Sequence, residues 1–146
     1  MLYAVKVWIL IILGSFSINI AAQVETETIE VQLVFDDPCQ GQILLSCYQS
    51  DVGFMDYKQA FYSDVLTCQN ALMIEGLDNT LPRAVMAYVD LNRNEKLDLN
   101  FFGIPIEPYA ISNGFRGKWR EPKFKDAAES STSKKIVLEF KYWKNR

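Results

Sequence analysis

The chain has 146 residues, with 15 Lys and Arg against 18 Asp and Glu and no His, so its net charge is −3. This length suits a single domain. The acidic balance argues against binding to nucleic acid. The lack of His excludes the commonest general base, the commonest zinc ligand and every catalytic pair that needs an imidazole.

The N-terminal segment predicts export. Lys6 precedes an apolar run over residues 7–13, and small residues at 21–22 close the segment, as in a secretory signal peptide. We therefore predict a signal peptide over residues 1–22 and a mature domain over residues 23–146, periplasmic or extracellular in a Gram-negative bacterium, with no membrane span after cleavage. The alternative is an uncleaved membrane anchor, but the apolar run is short for a spanning helix. It is also interrupted by small and polar residues, namely Gly14, Ser15, Ser17 and Asn19.

The mature chain has the pattern of strands rather than helices. Residues 29–35 alternate apolar and polar side chains, which indicates a half-buried strand. Residues 84–89 are apolar throughout, as in a central strand covered on both faces. Short strands with turn-rich sequence between them predict an all-β fold, a single antiparallel β-sandwich like that of immunoglobulin domains. The predicted strands cover residues 29–35, 43–48, 61–67, 71–74, 84–89 and 136–141.

The connections between these runs predict which strands are neighbours. A short loop before residue 43 predicts that the second strand lies antiparallel to the first. Gln69 and Asn70 predict a tight turn between the third strand and the fourth. Residues 99–131 have no clear period, so we predict a long irregular loop before the last strand, and a loop of this length is usually functional or anchored.

The three cysteines are Cys39, Cys47 and Cys68. In an oxidising compartment an odd number suggests one disulfide and one free thiol. The alternative is that all three are reduced and buried as small apolar side chains. Sequence alone does not select a pair, but Cys47 occupies an inward position of a predicted strand, so we favour a disulfide between Cys39 and Cys68.

The 90–98 loop, with the sequence DLNRNEKLD, carries oxygen-bearing side chains at every second position over its first half. A hard cation needs several oxygens that converge from one short loop, so this spacing predicts calcium as a cofactor. The candidate ligands are four side chains and one backbone carbonyl: Asp90, Asn92, Asn94, Lys96 and Asp98. The twelfth position of an EF-hand loop would be Phe101, so a bidentate carboxylate would have to come from elsewhere, such as Glu107. The alternative is a turn whose Asp and Asn side chains bind their own backbone.

The region after this loop predicts a recognition surface for an unknown protein or glycan at the cell envelope. The candidate recognition residues are Glu107, Tyr109, Ser112, Asn113 and Trp119. The aromatic residues among them have a second interpretation, in which they anchor the long loop to the core. Because no catalytic set is evident, we expect a non-catalytic binding or accessory module. Two alternatives stay open: a secreted hydrolase that uses Asp98 and Glu107, and a structural surface protein that assembles through a sheet edge.

Several motifs together resemble one family of exported bacterial proteins, the domain-of-unknown-function family 2141. These are the 90–98 loop, the Gly103-Ile-Pro-x-Glu107 segment, the Ser112-Asn113 pair and the Pro122-x-Phe-x-Asp-Ala127 segment. The resemblance implies a secreted β-sandwich similar to transthyretin-like or carboxypeptidase-regulatory-like modules, and it implies no activity. This chain departs from the family pattern at Glu95, where the family usually has Gly, and at Val89, where the family commonly has His. A sharp turn at the sixth loop position often needs a positive φ, which any residue but Gly adopts at a cost of about 1–2 kcal/mol.

Overall fold

The computed structural model describes residues 25–116 and 120–141, which form two stacked β-sheets. The predicted signal peptide over 1–22 lies outside the described residues. One sheet has the strand order β4-β1-β7 and the other has the order β3-β2-β5-β6, so the predicted all-β sandwich is confirmed. The strands are β1 (Thr26–Phe35), β2 (Gln42–Tyr48), β3 (Tyr62–Thr67), β4 (Ala71–Asp78), β5 (Ala84–Asp90), β6 (Tyr109–Ile111) and β7 (Lys135–Phe140).

The core lies between the two sheets and is built by the predicted alternation. Every second residue of β1 and β2 points inward, and burying this apolar area stabilises the fold by roughly 25 cal/mol per Å². The buried residues that these two strands contribute are Ile29, Val31, Leu33, Ile43, Leu45 and Cys47. A second apolar cluster covers the outer face of β5 and β6, where Tyr109 packs with Ala127 of the short helix α1 (Phe124–Ala127). This confirms that β5 is covered on both faces.

The predicted pairing of consecutive strands is wrong. β1 does not pair with β2, and β3 does not pair with β4, because each of these connections crosses from one sheet to the other. β1 instead pairs antiparallel with β4, and β2 pairs antiparallel with β3 and β5. The alternation of side chains shows which face of a strand points to the core. Two consecutive strands can both bury that face whether they are neighbours in one sheet or lie in opposite sheets, so the alternation does not determine the pairing.

A disulfide joins two of the connections that cross between the sheets. Cys39 lies between β1 and β2, Cys68 lies between β3 and β4, and their sulfur atoms are bonded. This is the pair that the sequence analysis favours. Cys47 is a free cysteine in the core, where burial raises the pKa of its thiol to about 12 against the opposing effect of Arg83.

Three details of the sheets differ from the sequence-based expectation. β7 pairs with β1 in parallel, although every other pair of strands is antiparallel. β4 extends past residue 74 to Asp78 because Leu77 is buried in the core, and Gly76 accommodates the irregular register with a φ of 78°. The long irregular region is divided by β6 and α1, which have too few residues to show a period. Within the described residues, no helix is long and apolar enough to cross a bilayer.

Candidate functional site

The 90–98 loop begins at Asp90, the last residue of β5, and the buried carboxylate of Asp90 organises it. Its Oδ1 accepts hydrogen bonds from the backbone amides of Arg93 at 2.6 Å and Asn94 at 3.2 Å. Its Oδ2 accepts from the amide of Glu95 at 2.8 Å and from Nε2 of Gln42 at 3.1 Å. Burial raises the pKa of Asp90, but these hydrogen bonds outweigh it and hold the pKa below its ordinary value. The carboxylate is therefore charged at neutral pH.

The two asparagines of the loop form Asx turns and also hold Asp98. Oδ1 of Asn92 accepts from the amide of Asn94 at 3.1 Å, and Oδ1 of Asn94 accepts from the amide of Lys96 at 2.9 Å. Nδ2 of Asn92 donates to one oxygen of Asp98 at 2.6 Å, and Nδ2 of Asn94 donates to the other at 3.0 Å. Three of the five predicted ligands, Asn92, Asn94 and Asp98, therefore meet through their side chains. Asp90 is joined to them through the amide of Asn94, and Lys96 through its own amide and not through the predicted carbonyl.

Glu107 holds the two ends of the loop together. One oxygen of its carboxylate accepts from the amide of Leu91 at 2.8 Å, and the other accepts from the amide of Asp98 at 3.0 Å. The side chain of Glu107 is only 3% exposed. A carboxylate whose two oxygens are both bound to backbone amides under a loop is poorly placed for acid–base chemistry on a substrate. This contact disfavours the hydrolase alternative and gives Glu107 a structural role.

The loop carries three carboxylates and two basic side chains, Arg93 and Lys96, and Glu107 adds a fourth carboxylate beneath it. Asp90, Asp98 and Glu107 take part in none of the ion pairs found among the described residues. Burial raises the pKa of Tyr88, which lies on β5 two residues before Asp90, and the charges of these carboxylates and of Glu95 raise it further. The loop therefore creates a negative potential that would attract a cation.

The side-chain oxygens of Asp90, Asn92 and Asn94 accept hydrogen bonds from the loop's own backbone, as in the alternative to a calcium site. In the described part of the chain, no three Cys, Asp or Glu side chains are grouped to hold a metal ion. A calcium ion here would therefore depend on amide and carbonyl oxygens together with the carboxylates, which is the usual chemistry of calcium loops. A set with few charged ligands corresponds to the weak affinity of extracellular calcium modules.

The backbone of the loop has the strained turn that its sequence position predicts. Glu95, at the sixth position, has a φ of 58°, and Arg93 has a φ of 62°. Both values lie in the left-handed region that favours glycine. The loop therefore adopts the turn in which the family has Gly, although this chain has a side chain there.

The candidate recognition residues are mostly structural. Tyr109 is 7% exposed, and Ser112 is fully buried, where its hydroxyl accepts from the amide of Val85 at 2.9 Å and donates to the carbonyl of Ala127 at 2.5 Å. The backbone amide of Asn113 donates to Glu129 at 3.0 Å. Glu107 is the buried residue that closes the loop, and Trp119 lies outside the described residues. Tyr109 and Ser112 thus attach the long region to the sheet and do not form an exposed surface.

The most exposed apolar side chains are on a turn that the sequence analysis did not select. We call residues 99–105 the aromatic turn; Phe101 in it is 97% exposed and Phe102 is 80% exposed. The turn is ordered by Asn100, whose Oδ1 accepts from the amides of Phe102 at 2.9 Å and Ile104 at 3.0 Å. The signal was present in the sequence, because Asn at the first position and Gly at the fourth, here Asn100 and Gly103, are typical of a type I turn.

These features define a small all-β sandwich protein with an acidic, oxygen-rich loop and an aromatic turn after the central strand β5. A family model described as an uncharacterized protein conserved in bacteria, DUF2141, matches residues 30–137. The match covers most of the chain, so the chain belongs to this family, as its motifs predict. Comparison with curated proteins and with solved structures gave no match.

Proposed function

We propose that this chain is an exported, non-catalytic binding module in which Ca²⁺ stabilises the 90–98 loop and the aromatic turn contacts a protein or glycan at the cell envelope. The observation that carries the proposal is the loop itself. Its carboxylates Asp90 and Asp98 have no Lys or Arg partner among the described residues. A divalent cation would compensate this charge.

The connection between the loop and the aromatic turn supports a shared role. Asp98 closes the loop, and the next residue begins the aromatic turn. The backbone carbonyl of Asp98 accepts from the amide of Ile106 at 2.9 Å, so both ends of the turn are tied to the same point. A cation that orders Asp98 would therefore also order the base of the turn that presents Phe101 and Phe102.

The absence of His from the whole sequence and the occupied carboxylate of Glu107 support a binding role over catalysis. Exposed aromatic side chains are enriched among the residues that dominate binding energy in protein interfaces. They also stack on sugar rings, so the same turn suits either a protein or a glycan partner. Two adjacent phenylalanines on a hydrogen-bonded turn lose little conformational entropy on binding.

The calcium part of the proposal is tested by the melting temperature of the mature chain in EDTA and in millimolar CaCl₂. A ligand that binds only the folded state raises stability by mass action, by about 2.7 kcal/mol at one hundred times its dissociation constant. We expect a higher melting temperature with calcium for the parent and a much smaller increase for Asp98→Asn. Asp37→Asn, which changes an exposed carboxylate outside the loop, is the matched control and should respond like the parent. No calcium response in the parent would refute this part.

The recognition part is tested separately with Phe101→Ser/Phe102→Ser. This variant should keep the parent's melting temperature and calcium response, because both side chains are already exposed. The parent should be retained on a column of immobilised envelope extract, and the variant should pass through it. Equal retention of the parent and the variant would exclude the aromatic turn as the contact surface.

A further inference from the structure

A large apolar groove lies along the outer face of the sheet that contains β5 and β6. Its volume is about 800 Å³. Its floor consists of outward-facing side chains of these two strands, Met86, Tyr88, Tyr109 and Ile111. The aromatic turn forms one wall, and Met55 with residues 120–122 forms the other. The groove therefore lies beside the 90–98 loop and does not overlap its oxygen ligands.

The walls of the groove are held apart by contacts within each wall. The aromatic turn is fixed by Asn100 and by the bridge between Leu99 and Pro105, so it does not need to collapse onto the sheet to satisfy its backbone. In the opposite wall Arg120 binds Asp126 through two bonds of 2.6 and 2.9 Å. Both walls are thus formed before any ligand binds, which reduces the entropic cost of binding.

The chemistry of the lining favours an uncharged ligand. Among the described residues that line it, only Arg120 and Glu121 are charged, and the charge of Arg120 is compensated by Asp126. At the end of the groove next to the 90–98 loop, the hydroxyl of Tyr88 can donate a hydrogen bond to a neutral oxygen of a ligand.

The size of the groove limits the ligand further. Small-molecule sites in proteins usually have volumes of about 300–1,000 Å³ and combine an apolar lining with a few polar groups. Among the described lining residues, Tyr88 and Tyr109 carry a hydroxyl, and neither oxygen is buried without a partner. They are the polar groups that could orient a ligand with one oxygen at its end.

We propose that this groove binds one neutral, single-chain amphiphile, such as a long-chain alcohol, with its hydrocarbon chain along β5 and β6 and its oxygen at Tyr88. Charge complementarity distinguishes this ligand from a fatty acid, because Arg120 is already paired with Asp126 and the described lining offers a carboxylate no other cation. The site is independent of calcium binding, so either proposal can fail without the other.

The first test uses the neutral fluorophore N-phenyl-1-naphthylamine as probe, in EDTA and again with CaCl₂. We expect saturable fluorescence with one probe per mature chain, displaced by 1-tetradecanol. Myristate, which has the same chain length and a negative charge, should compete at least about tenfold more weakly because its carboxylate would lose water without gaining an ionic partner. Absence of saturable binding in both buffers, or equal competition by the alcohol and the acid, would overturn the proposal.

The second test places a charge in the groove with Leu99→Lys. Leu99 is 53% exposed, and the matched control Met73→Lys changes a side chain on edge strand β4 that is 56% exposed. Leu99→Lys should weaken probe binding at least about tenfold, because a charge next to an apolar ligand must lose water. Met73→Lys should bind like the parent. Equal binding by Leu99→Lys and the parent, or equal loss in both variants, would overturn the proposal.

The third test keeps the shape of the groove and removes one hydroxyl with Tyr88→Phe. This variant should bind the probe like the parent and bind 1-tetradecanol about three- to tenfold more weakly, as expected for one lost hydrogen bond. An unchanged affinity for the alcohol would place its oxygen elsewhere and overturn the assigned orientation. The oligomeric state gives one more outcome. If the parent is a dimer, Leu99→Lys is a monomer and neither binds the probe, the groove is occupied by a second copy of the chain. That result would refute the proposal.

Discussion

The backbone amide of Glu95 donates a hydrogen bond of 2.8 Å to the carboxylate of Asp90, and Glu95 makes this contact with a φ of 58°. The first residue of the loop thus holds its sixth residue in a conformation that side chains disfavour. The strain at Glu95 is compensated by the bonds that satisfy the buried charge of Asp90. This relationship explains how the loop keeps its turn without the glycine that is usual in the family.

The strain predicts that Glu95→Gly stabilises the protein. Gly adopts the left-handed region without steric cost, so we expect the free energy of unfolding in EDTA to rise by about 1 kcal/mol. Lys96→Gly is the control, because Lys96 does not have a positive φ. The free energy of unfolding of this variant should fall by about 0.5–1 kcal/mol, since Gly gives the unfolded chain more conformational freedom. Urea unfolding measures both. A loss of stability in Glu95→Gly would mean that its side chain contributes more than the strain costs.

Glu107→Gln should loosen both ends of the 90–98 loop. The variant keeps one oxygen acceptor but turns an NH₂ group toward the amide of Leu91 or Asp98, leaving a buried donor unsatisfied. Hydrogen bonds to charged groups contribute about 1.5–3 kcal/mol, so we expect a loss of that size in urea unfolding. Glu75→Gln, at an exposed position of β4, should change stability by less than about 0.5 kcal/mol. Equal stability of the two variants would contradict the structural role of Glu107.

The ion pair between Arg120 and Asp126 predicts a specific acid sensitivity. Hydrogen bonds from the Arg120 side chain and the Lys123 amide lower the pKa of Asp126 from 3.8 to about 2. Because the pKa of Asp126 is lower in the folded state than in the unfolded state, its charged form stabilises the folded protein. This stabilisation is complete above the pKa of the unfolded state, near 4, and is lost as the pH falls through about 2. In Arg120→Gln the titration of Asp126, followed by NMR, should move back toward 3.8, and stability should fall less between pH 4 and 2. Lys125→Gln should leave the titration of Asp126 and the pH dependence of stability nearly unchanged. A titration midpoint of Asp126 near 3.8 in the parent would refute the stabilising role of the ion pair.

The disulfide predicts a large contribution to stability. Cys39 and Cys68 are separated by 29 positions in the sequence, and closing a loop of that size in the unfolded chain stabilises the folded state by about 3–4 kcal/mol. Cys39→Ser/Cys68→Ser should lower the free energy of unfolding by this amount. Reductant should destabilise the parent similarly and leave the double variant unaffected. A parent that does not respond to reductant, although its disulfide is shown to be reduced, would contradict the prediction.

The remaining thiol, that of Cys47, should be unreactive in the native protein. It is fully buried, and burial raises its pKa to about 12, so little of the nucleophilic thiolate exists at neutral pH. Without reductant, iodoacetamide should therefore leave Cys47 unlabelled under native conditions and label one thiol per chain in urea. Mass spectrometry counts the labels. Native labelling of Cys47 would show that the core opens near β2.

The sequence predicted the layers of the fold because burial has a period that can be counted along a strand. The inward positions of β1 and β2, from Ile29 to Cys47, follow the alternation directly. The pairing of these strands did not follow, because a short connection such as that containing Cys39 can either reverse within one sheet or cross to the other. β6 was missed for a related reason: three residues that are all buried have no alternation to detect.

The oxygen-rich spacing of the 90–98 loop and the turn at Glu95 were likewise determined by the sequence, since both depend on residues within one short segment. Only the tertiary structure decided that Glu107 joins Leu91 to Asp98, that Tyr109 and Ser112 face inward, and that the aromatic turn stands beside a groove on β5 and β6. These are contacts between segments distant in sequence. Their geometry is set by how the two sheets and the long region pack together, and a pattern of residue types along the chain does not contain that information.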